Sequence, residues 1–395
     1  MKPTDSPTFV RDGATVLSYA ALGCYTFWLY AFGPAVTLLR DELGFSYTLL
    51  GLYSVLWSAG AALAGLGFAF LARRLTRRAH LWFSVLACAL GAALFTLTTG
   101  TLSTLIAAAV FGLSGTMLLA VVQAVLSDRH GPRRDRALTE ANIGAGISAV
   151  FAPLVLGALA TSVIGWRATF ALPAVILLVL YLRFRRAPMP AAPRSRDRAR
   201  TAPLPVACWL FATFMALGSA IEFCLVFFGP QMLITTGLSA TAASTALGAN
   251  YLGILIGRIL GAALTRIPGR TARLLYLSLA VTAASFTLFW LTDSSVLAIL
   301  GLFLCGVGVA NLYPLSLALT LDAAAGQEDQ ANARSQLIVG LVAAASPLVL
   351  GSFADLLGLA VAFTVVPVLI GSGLCVLWAG LRARHNASRR RQVST

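Results

Sequence analysis

Glu222 and Arg258 stand inside long apolar runs, where an ionisable group costs about 2.5–3.5 kcal/mol on insertion scales and therefore faces a cavity, a partner or water. Glu222 follows Gly218 and Ser219, small residues on the preceding turn that leave room beside the carboxylate. A desolvated glutamate is protonated more readily, so this one is suited to carrying a proton; a permanent hydrogen bond would make it structural instead. Arg258 shares a helical face with Tyr251, seven residues earlier. It suits an anionic substrate group, an acid that closes a gate, or a reach to the inner head groups. Counting backbone rise puts Glu222 roughly 27 Å and Arg258 roughly 10 Å above the same end of their helices, so direct contact between them is not expected.

Neutral polar groups in the same apolar runs are Gln123, Asn142, Gln231, Asn250, Asn311 and Gln336, each an amide that needs a partner or a substrate. Asn311 lies in Gly308-Val-Ala-Asn-Leu-Tyr-Pro314, where a substrate and a neighbouring helix are equally suitable partners. Tyr25 and Trp28 share one face and could stack on a ligand, although aromatic side chains in such a helix more often pack or anchor. Gly253, Gly257 and Gly261 form a stripe that close helix packing explains without any substrate. Glu140, Arg334 and Asp322 belong near helix ends on one side, and we read them as a gate latch rather than a substrate site. Arg40, Asp41, Glu42 and Asp355 are most simply solvated boundary charges. His80, His130 and His385 fall in loops or the tail, and no metal-ligand cluster, phosphate-cradling glycine loop or nucleophile–base–acid set is present. No cofactor is expected, and the chain does not hydrolyse ATP.

These residues must be positioned by a fold that water does not surround. Of 395 residues 58% are hydrophobic and only 11% charged, against about 45–50% and about 25% in soluble domains, so the excess apolar surface faces lipid. The net charge of +15 suggests a nucleic-acid partner only until the arginines are located, nearly all in short loops between apolar runs. Cys24, Cys88, Cys208, Cys224, Cys305 and Cys375 read as small buried hydrophobes. Spans of membrane-crossing length occur at 14–39, 46–72, 80–98, 102–126, 137–161, 167–184, 204–233, 240–265, 273–291, 296–321, 332–354 and 358–381. The first is too long for a signal peptide. With these spans, 26 of the 29 basic residues fall on one side, which predicts that both termini are cytoplasmic.

Pro153-Leu-Val-Leu-Gly157 recurs as Pro347-Leu-Val-Leu-Gly351, displaced by 194 residues, and the same displacement pairs Asp128 with Asp322, Asp135 with Asp329, Ala137 with Ala331 and Glu140 with Arg334. A displacement of 193 pairs Leu71, Arg73 and Arg77 with Leu264, Arg266 and Arg270. The chain therefore divides into a first bundle of six spans at 1–184, a linker at 185–203 rich in Arg, Pro and Ala, and a second bundle at 204–395 with a basic tail. Two bundles of equal orientation form a parallel repeat about an axis along the membrane normal. An all-α membrane protein of two pseudo-symmetric six-helix bundles is the expected fold.

Over essentially its whole length the chain resembles the major facilitator superfamily, through the twelve spans, the half-chain repeat, the basic loops after spans 2 and 8 and the prolines of spans 5 and 11. The family's loop after span 2 carries an aspartate and a glycine, whereas Ala69-Phe-Leu-Ala-Arg-Arg-Leu-Thr-Arg-Arg78 has Arg73 and Thr76 in their places. The interdomain lock made by that aspartate in relatives does not carry over. Span 4 also lacks the arginine of drug/proton antiporters, and Gly257-Arg258 is similar to a pair in the sugar-permease branch. The resemblance implies a monomeric secondary transporter of a small organic solute in a bacterial inner membrane, working by alternating access. Eight helices would line its pathway. Proton coupling through Glu222 is the expected mechanism, with a lean toward export of an amphipathic compound. Uptake of a sugar or organic acid is the alternative, and a facilitative channel or transport-dead receptor is the reading from another class.

Overall fold

The computed structural model describes residues 9–190, 203–265, 269–324 and 326–393. Most of the 185–203 linker and Arg266 therefore lie outside the described residues. Among these residues twelve helices are long and apolar enough to cross a membrane: α1 Gly13–Leu43, α2 Tyr47–Phe68, α3 Arg77–Leu97, α4 Thr101–His130, α5 Arg136–Ala160, α6 Trp166–Phe184, α7 Val206–Thr235, α8 Ala240–Leu264, α9 Thr271–Leu291, α10 Ser295–Ala323, α11 Gln330–Leu357 and α12 Leu359–Asn386. Their ends fall within a few residues of the spans read from sequence. Pro173, in the short sixth span, is tolerated because it falls in the first α-helical turn, where its missing N–H is not needed.

Two departures have local causes. The helix of α10 is interrupted at Ala310 and Asn311, just ahead of Pro314, which has no N–H to give to the Ala310 carbonyl. The helix of α12 runs on to Val393, so the basic tail is helical. Beyond Gly380 the tail has neither glycine nor proline, and arginine, alanine and glutamine favour a helix.

Within each bundle, glycines let helices touch backbone to backbone. A Cβ on Gly60 or Gly112 would lie 2.1 or 1.8 Å from a carbonyl oxygen of the facing helix at the α2–α4 crossing. At the α8–α10 crossing, Gly253 and Gly306 stand 2.1 Å, by the same measure, from the Phe303 and Asn250 oxygens. The glycine stripe Gly253, Gly257 and Gly261 is thus a packing device, since all three press on α10. The first bundle is filled by Phe32, Trp57, Phe95, Phe111 and Phe170, with Trp57 stacked on Phe111 at 5.6 Å between ring centroids. Outward-facing Leu66, Leu97, Val175, Leu182, Val368 and Leu374 remain exposed, as a lipid-facing surface requires. Five cysteines are buried, while Cys375 is exposed on α12.

The bundles meet along a seam where α2 crosses α11, α5 crosses α8, and α1 passes α7 and α8. The duplicated pentapeptide sits on it. A Cβ on Gly157 would lie 1.8 Å from the Thr245 hydroxyl oxygen of α8, and one on Gly351 would lie 2.3 Å from the Tyr47 carbonyl oxygen of α2.

Candidate functional site

Tyr30, Glu222 and Tyr251 lie near the middles of α1, α7 and α8, and they converge at the seam with Arg258. Tyr30 meets Tyr251 edge to face, with ring centroids 4.5 Å apart. The Arg258 guanidinium stands beside the Tyr30 phenol, and its charge reaches the Glu222 carboxylate. Arg258 has no ion-pair partner within 4 Å among the described residues, so its attraction for Glu222 acts across a gap. Tyr251 is 2% exposed, and its hydroxyl, which lies within reach of the charge on Glu222, has no hydrogen-bond partner. Tyr30 and Glu222 are half-buried, Tyr251 is buried and Arg258 exposed, so the seam is covered at Tyr251 and uncovered at the arginine.

Backbone rise argues against direct contact between Glu222 and Arg258, and among the described residues they form no ion pair within 4 Å, although the arginine's charge still reaches the carboxylate. An arginine head rides on a long apolar stem and acts well away from its own turn, which backbone rise leaves out. Tyr30 was not among the residues singled out from sequence. Its signal is its place on α1 three residues ahead of Gly33, where a Cβ would lie 2.8 Å from Val226 of α7. Phe32-Gly33-Pro34 recurs as Phe228-Gly229-Pro230, a second repeat that marks the seam on α1 and α7.

Several expected pathway residues hold the bundles together instead. Asn311 donates to the Gly257 carbonyl at 2.8 Å, and Asn250, fully buried, donates to the Leu302 carbonyl at 2.9 Å. Both amides join α8 to α10. Trp28 is also fully buried, with its indole N–H on the Phe170 carbonyl at 2.9 Å. Tyr25 lies against Gly115 of α4, where a Cβ would meet the ring at 2.0 Å. Asn142 is exposed and its amide turns back to the Leu138 carbonyl of its own helix at 2.8 Å. Gln336 is exposed and bonds the Tyr313 hydroxyl at 2.5 Å, joining α11 to α10. Gln123 is exposed on α4.

On the face that carries Arg11 and Arg384, the ion pairs of Glu140, Asp128, Asp12 and Asp322 each lie within one bundle. Glu140 accepts two bonds from Arg11, both at 2.8 Å, one from Arg136 at 3.1 Å and one from the Tyr19 hydroxyl at 3.2 Å. Arg77 pairs with Asp128 at 2.9 Å, Arg129 with Asp12 at 2.5 Å, and Arg384 with Asp322 at 3.5 Å. Arg334 lies over the Trp209 ring at 5.5 Å. Glu140 and Arg334, expected to face each other as a latch, are held by neighbours within their own bundles in this conformation. His80 is a correction as well: it is buried in the first turn of α3 against Phe68, and His130 ends α4 with its ring on Phe9.

At the opposite face, bonds cross the seam. Arg40 of α1 donates to Gln231 of α7 at 3.1 Å and packs on the Tyr47 ring at 3.9 Å. The Asp355 carboxylate at the end of α11 accepts the N–H groups of Tyr47 and Thr48 at 2.8 and 2.7 Å, and Ser244 of α8 donates to the Pro34 carbonyl at 3.1 Å. Glu42 binds Arg167 through two contacts of 2.7 and 3.0 Å and accepts the Trp166 indole N–H. Glu42 and Asp355 are exposed at the boundary, as expected of solvated charges, and with the half-buried Arg40 they also make structural contacts that the sequence did not indicate. Among the described residues no group of three or more acidic, histidine or cysteine side chains could hold a metal.

Comparison with known proteins gives this architecture its family. Residues 17–329 match the Major Facilitator Superfamily. The chain is 27% identical over 308 residues to the cyanate transport protein CynX of Escherichia coli (strain K12), covering 74% of this chain and 77% of that one. It is 24% identical over 364 residues to the putative transporter AraJ of the same organism, covering 90% and 91%. Among solved structures, the crystal structure of a bacterial homolog to the human lysosomal transporter Spinster, in an inward-facing and unoccupied conformation, superposes with a TM-score of 0.76 at 14% identity, covering 94% of this chain and 96% of that one. The chain, an integral membrane protein with twelve spanning helices among its described residues, belongs to the Major Facilitator Superfamily and is a membrane transporter.

Proposed function

We propose that this transporter is a proton-coupled secondary carrier of a small organic anion, that its basic face is cytoplasmic, and that the conformation described is open to the cytoplasm. The observation that carries the reading is the seam cluster: an arginine without an ion-pair partner, a half-buried glutamate within reach of its charge, and a buried tyrosine hydroxyl with no hydrogen-bond partner. A carboxylate arriving from the open side meets the Arg258 guanidinium, which binds planar anions through paired N–H groups. The bound anion screens Arg258 from Glu222, so the glutamate loses its electrostatic support as an anion and takes up a proton. Anion and proton then travel as a neutral pair, and the loaded site closes without leaving an uncompensated charge in the apolar seam. Differential affinity between the two facing states supplies the work, because a ligand that binds both equally shifts nothing.

Between export of an amphipathic compound and movement of an organic acid, the cluster favours the acid, since a cation and a carboxylate are costly to bury for an apolar cargo. The relative named for cyanate, a small anion, supports the same class. The test is uptake by proteoliposomes under an imposed pH gradient across a panel of short monocarboxylates, neutral polyols and lipophilic cations. Accumulation of monocarboxylates alone is expected; Arg258→Gln should abolish it, and Glu222→Gln should abolish accumulation while leaving counterflow exchange. Gradient-driven accumulation that persists in Glu222→Gln, or equal uptake of polyols, would overturn the proposal.

A further inference from the structure

The two places where the bundles cross are related by the repeat, and they end differently. At the α2–α11 crossing, Asp355 presents its carboxylate to the start of α2 and accepts the N–H groups of Tyr47 and Thr48, which have no partner within their own helix. The 194-residue displacement puts Thr161 at the equivalent place in the first bundle. Thr161 turns its hydroxyl back on the Gly157 and Ala158 carbonyls of its own segment; both helix starts keep their own serine cap, Ser46 on the Leu49 N–H and Ser239 on the Ala242 N–H, so the difference between the crossings is the Asp355 carboxylate. Around Asp355 the closure is reinforced: Tyr47 packs under Arg40, Arg40 bonds Gln231 of α7, and Gly351 lets the Tyr47 carbonyl approach α11.

The geometry points to a one-sided latch in which Asp355, with Arg40 and Gln231 beside it, holds shut the face opposite the termini and sets the resting state of the carrier. A carboxylate at a helix start is stabilised both by the hydrogen bonds and by the partial positive charge there. For that face to open, α2 must leave Asp355 and its two N–H groups must find water. The latch is a positioning device that touches no substrate.

The inference rests on the alternating-access reading, and its test needs no substrate, so the two fail separately. Val226, on α7 against Gly33 at the seam, is replaced by cysteine, and labelling by a membrane-impermeant maleimide is followed from the face opposite the termini in proteoliposomes. The unmodified chain gives the background from its own cysteines. Asp355→Ala should speed labelling about fivefold or more, the factor expected for loss of a helix cap, and Gln231→Leu should speed it by less. Thr161→Ala, the repeat counterpart, should leave it unchanged. Equal labelling in the parent, Asp355→Ala and Gln231→Leu proteins would overturn the latch, as would an equal gain in Thr161→Ala; if Asp355→Ala does not fold, Gln231→Leu decides.

Discussion

In the first bundle α2 crosses α4 at Gly60 and Gly112, and in the second α8 crosses α10 at Gly253 and Gly306, the same positions displaced by 193 and 194 residues. Around those shared glycines the side chains differ. Trp57 stacks on Phe111 in the first bundle, whereas Asn250, its counterpart under the 193-residue displacement, sends an amide to the Leu302 carbonyl. Asn311 adds a second amide bond to the Gly257 carbonyl. Of these two crossings one is lined with rings and the other stapled with thin polar groups, although both bundles bury aromatic side chains elsewhere. The consequence falls on α8, which has a face fixed to α10 by Asn250, Gly253, Gly257 and Gly261. Its other face, with Tyr251 and Arg258, is left for the seam.

The strongest way to break the comparison is to fill the shared glycines. Gly112→Val and Gly306→Val each place carbon within about 2 Å of a facing carbonyl oxygen. Backbone cannot yield as a flexible side chain can, so both variants should fail to give folded, monodisperse protein on size-exclusion chromatography. If either folds with an unshifted melting temperature, the crossing is looser in solution than the backbone contacts require. Next comes Trp57→Ala, expected to cost about 3–5 kcal/mol from lost burial and the cavity left among Phe32 and Phe111. Asn250→Ala should cost about 0.6–1.7 kcal/mol, the range measured for interhelical hydrogen bonds in membranes. Thermal unfolding in a single detergent ranks the two, and equal losses would show that the amide does more than staple.

Much of this fold was legible because lipid leaves so few options. Twelve apolar runs have to be helices, and the repeat of Pro153 to Gly157 at Pro347 to Gly351 marks the seam before any coordinates are known. The site was less legible. Trp28 and Tyr25 left stacking on a ligand and packing both open from their shared face, since a helix wheel does not say which neighbour that face meets; here it packs against α4 and the start of α6. Asp355 read as a solvated charge because its partners lie more than 300 residues away in sequence. Glu222 and Arg258 stood out as costly residues to bury, and the structure leaves the glutamate half-buried and the arginine exposed; backbone rise does not report how far a long side chain reaches. Tyr30 escaped notice because its signal lies in the neighbouring Phe32-Gly33-Pro34 and the recurrence of that tripeptide on α7, not in the tyrosine itself.

The smallest expected effect separates the two bundles at their first helices. Asp12 caps α1, accepting the Thr15 N–H at 3.0 Å and pairing with Arg129, whereas α7 begins after Pro205 with no side-chain cap. Burial opposes the ionisation of Asp12, but the Thr15 hydroxyl and N–H and the Arg129 guanidinium outweigh it and hold the carboxyl below its ordinary range. A group depressed in the folded state stabilises the fold above its unfolded value, near pH 3.9, and loses that contribution as pH falls through the folded value. Asp12→Ala should therefore cost about 1 kcal/mol at neutral pH. The gap from the parent protein should narrow as the solution is taken below about pH 4, where the parent's carboxyl also becomes neutral. Melting curves of both proteins at neutral and acidic pH decide it, and a gap of constant size would mean that Asp12 acts by packing rather than by charge.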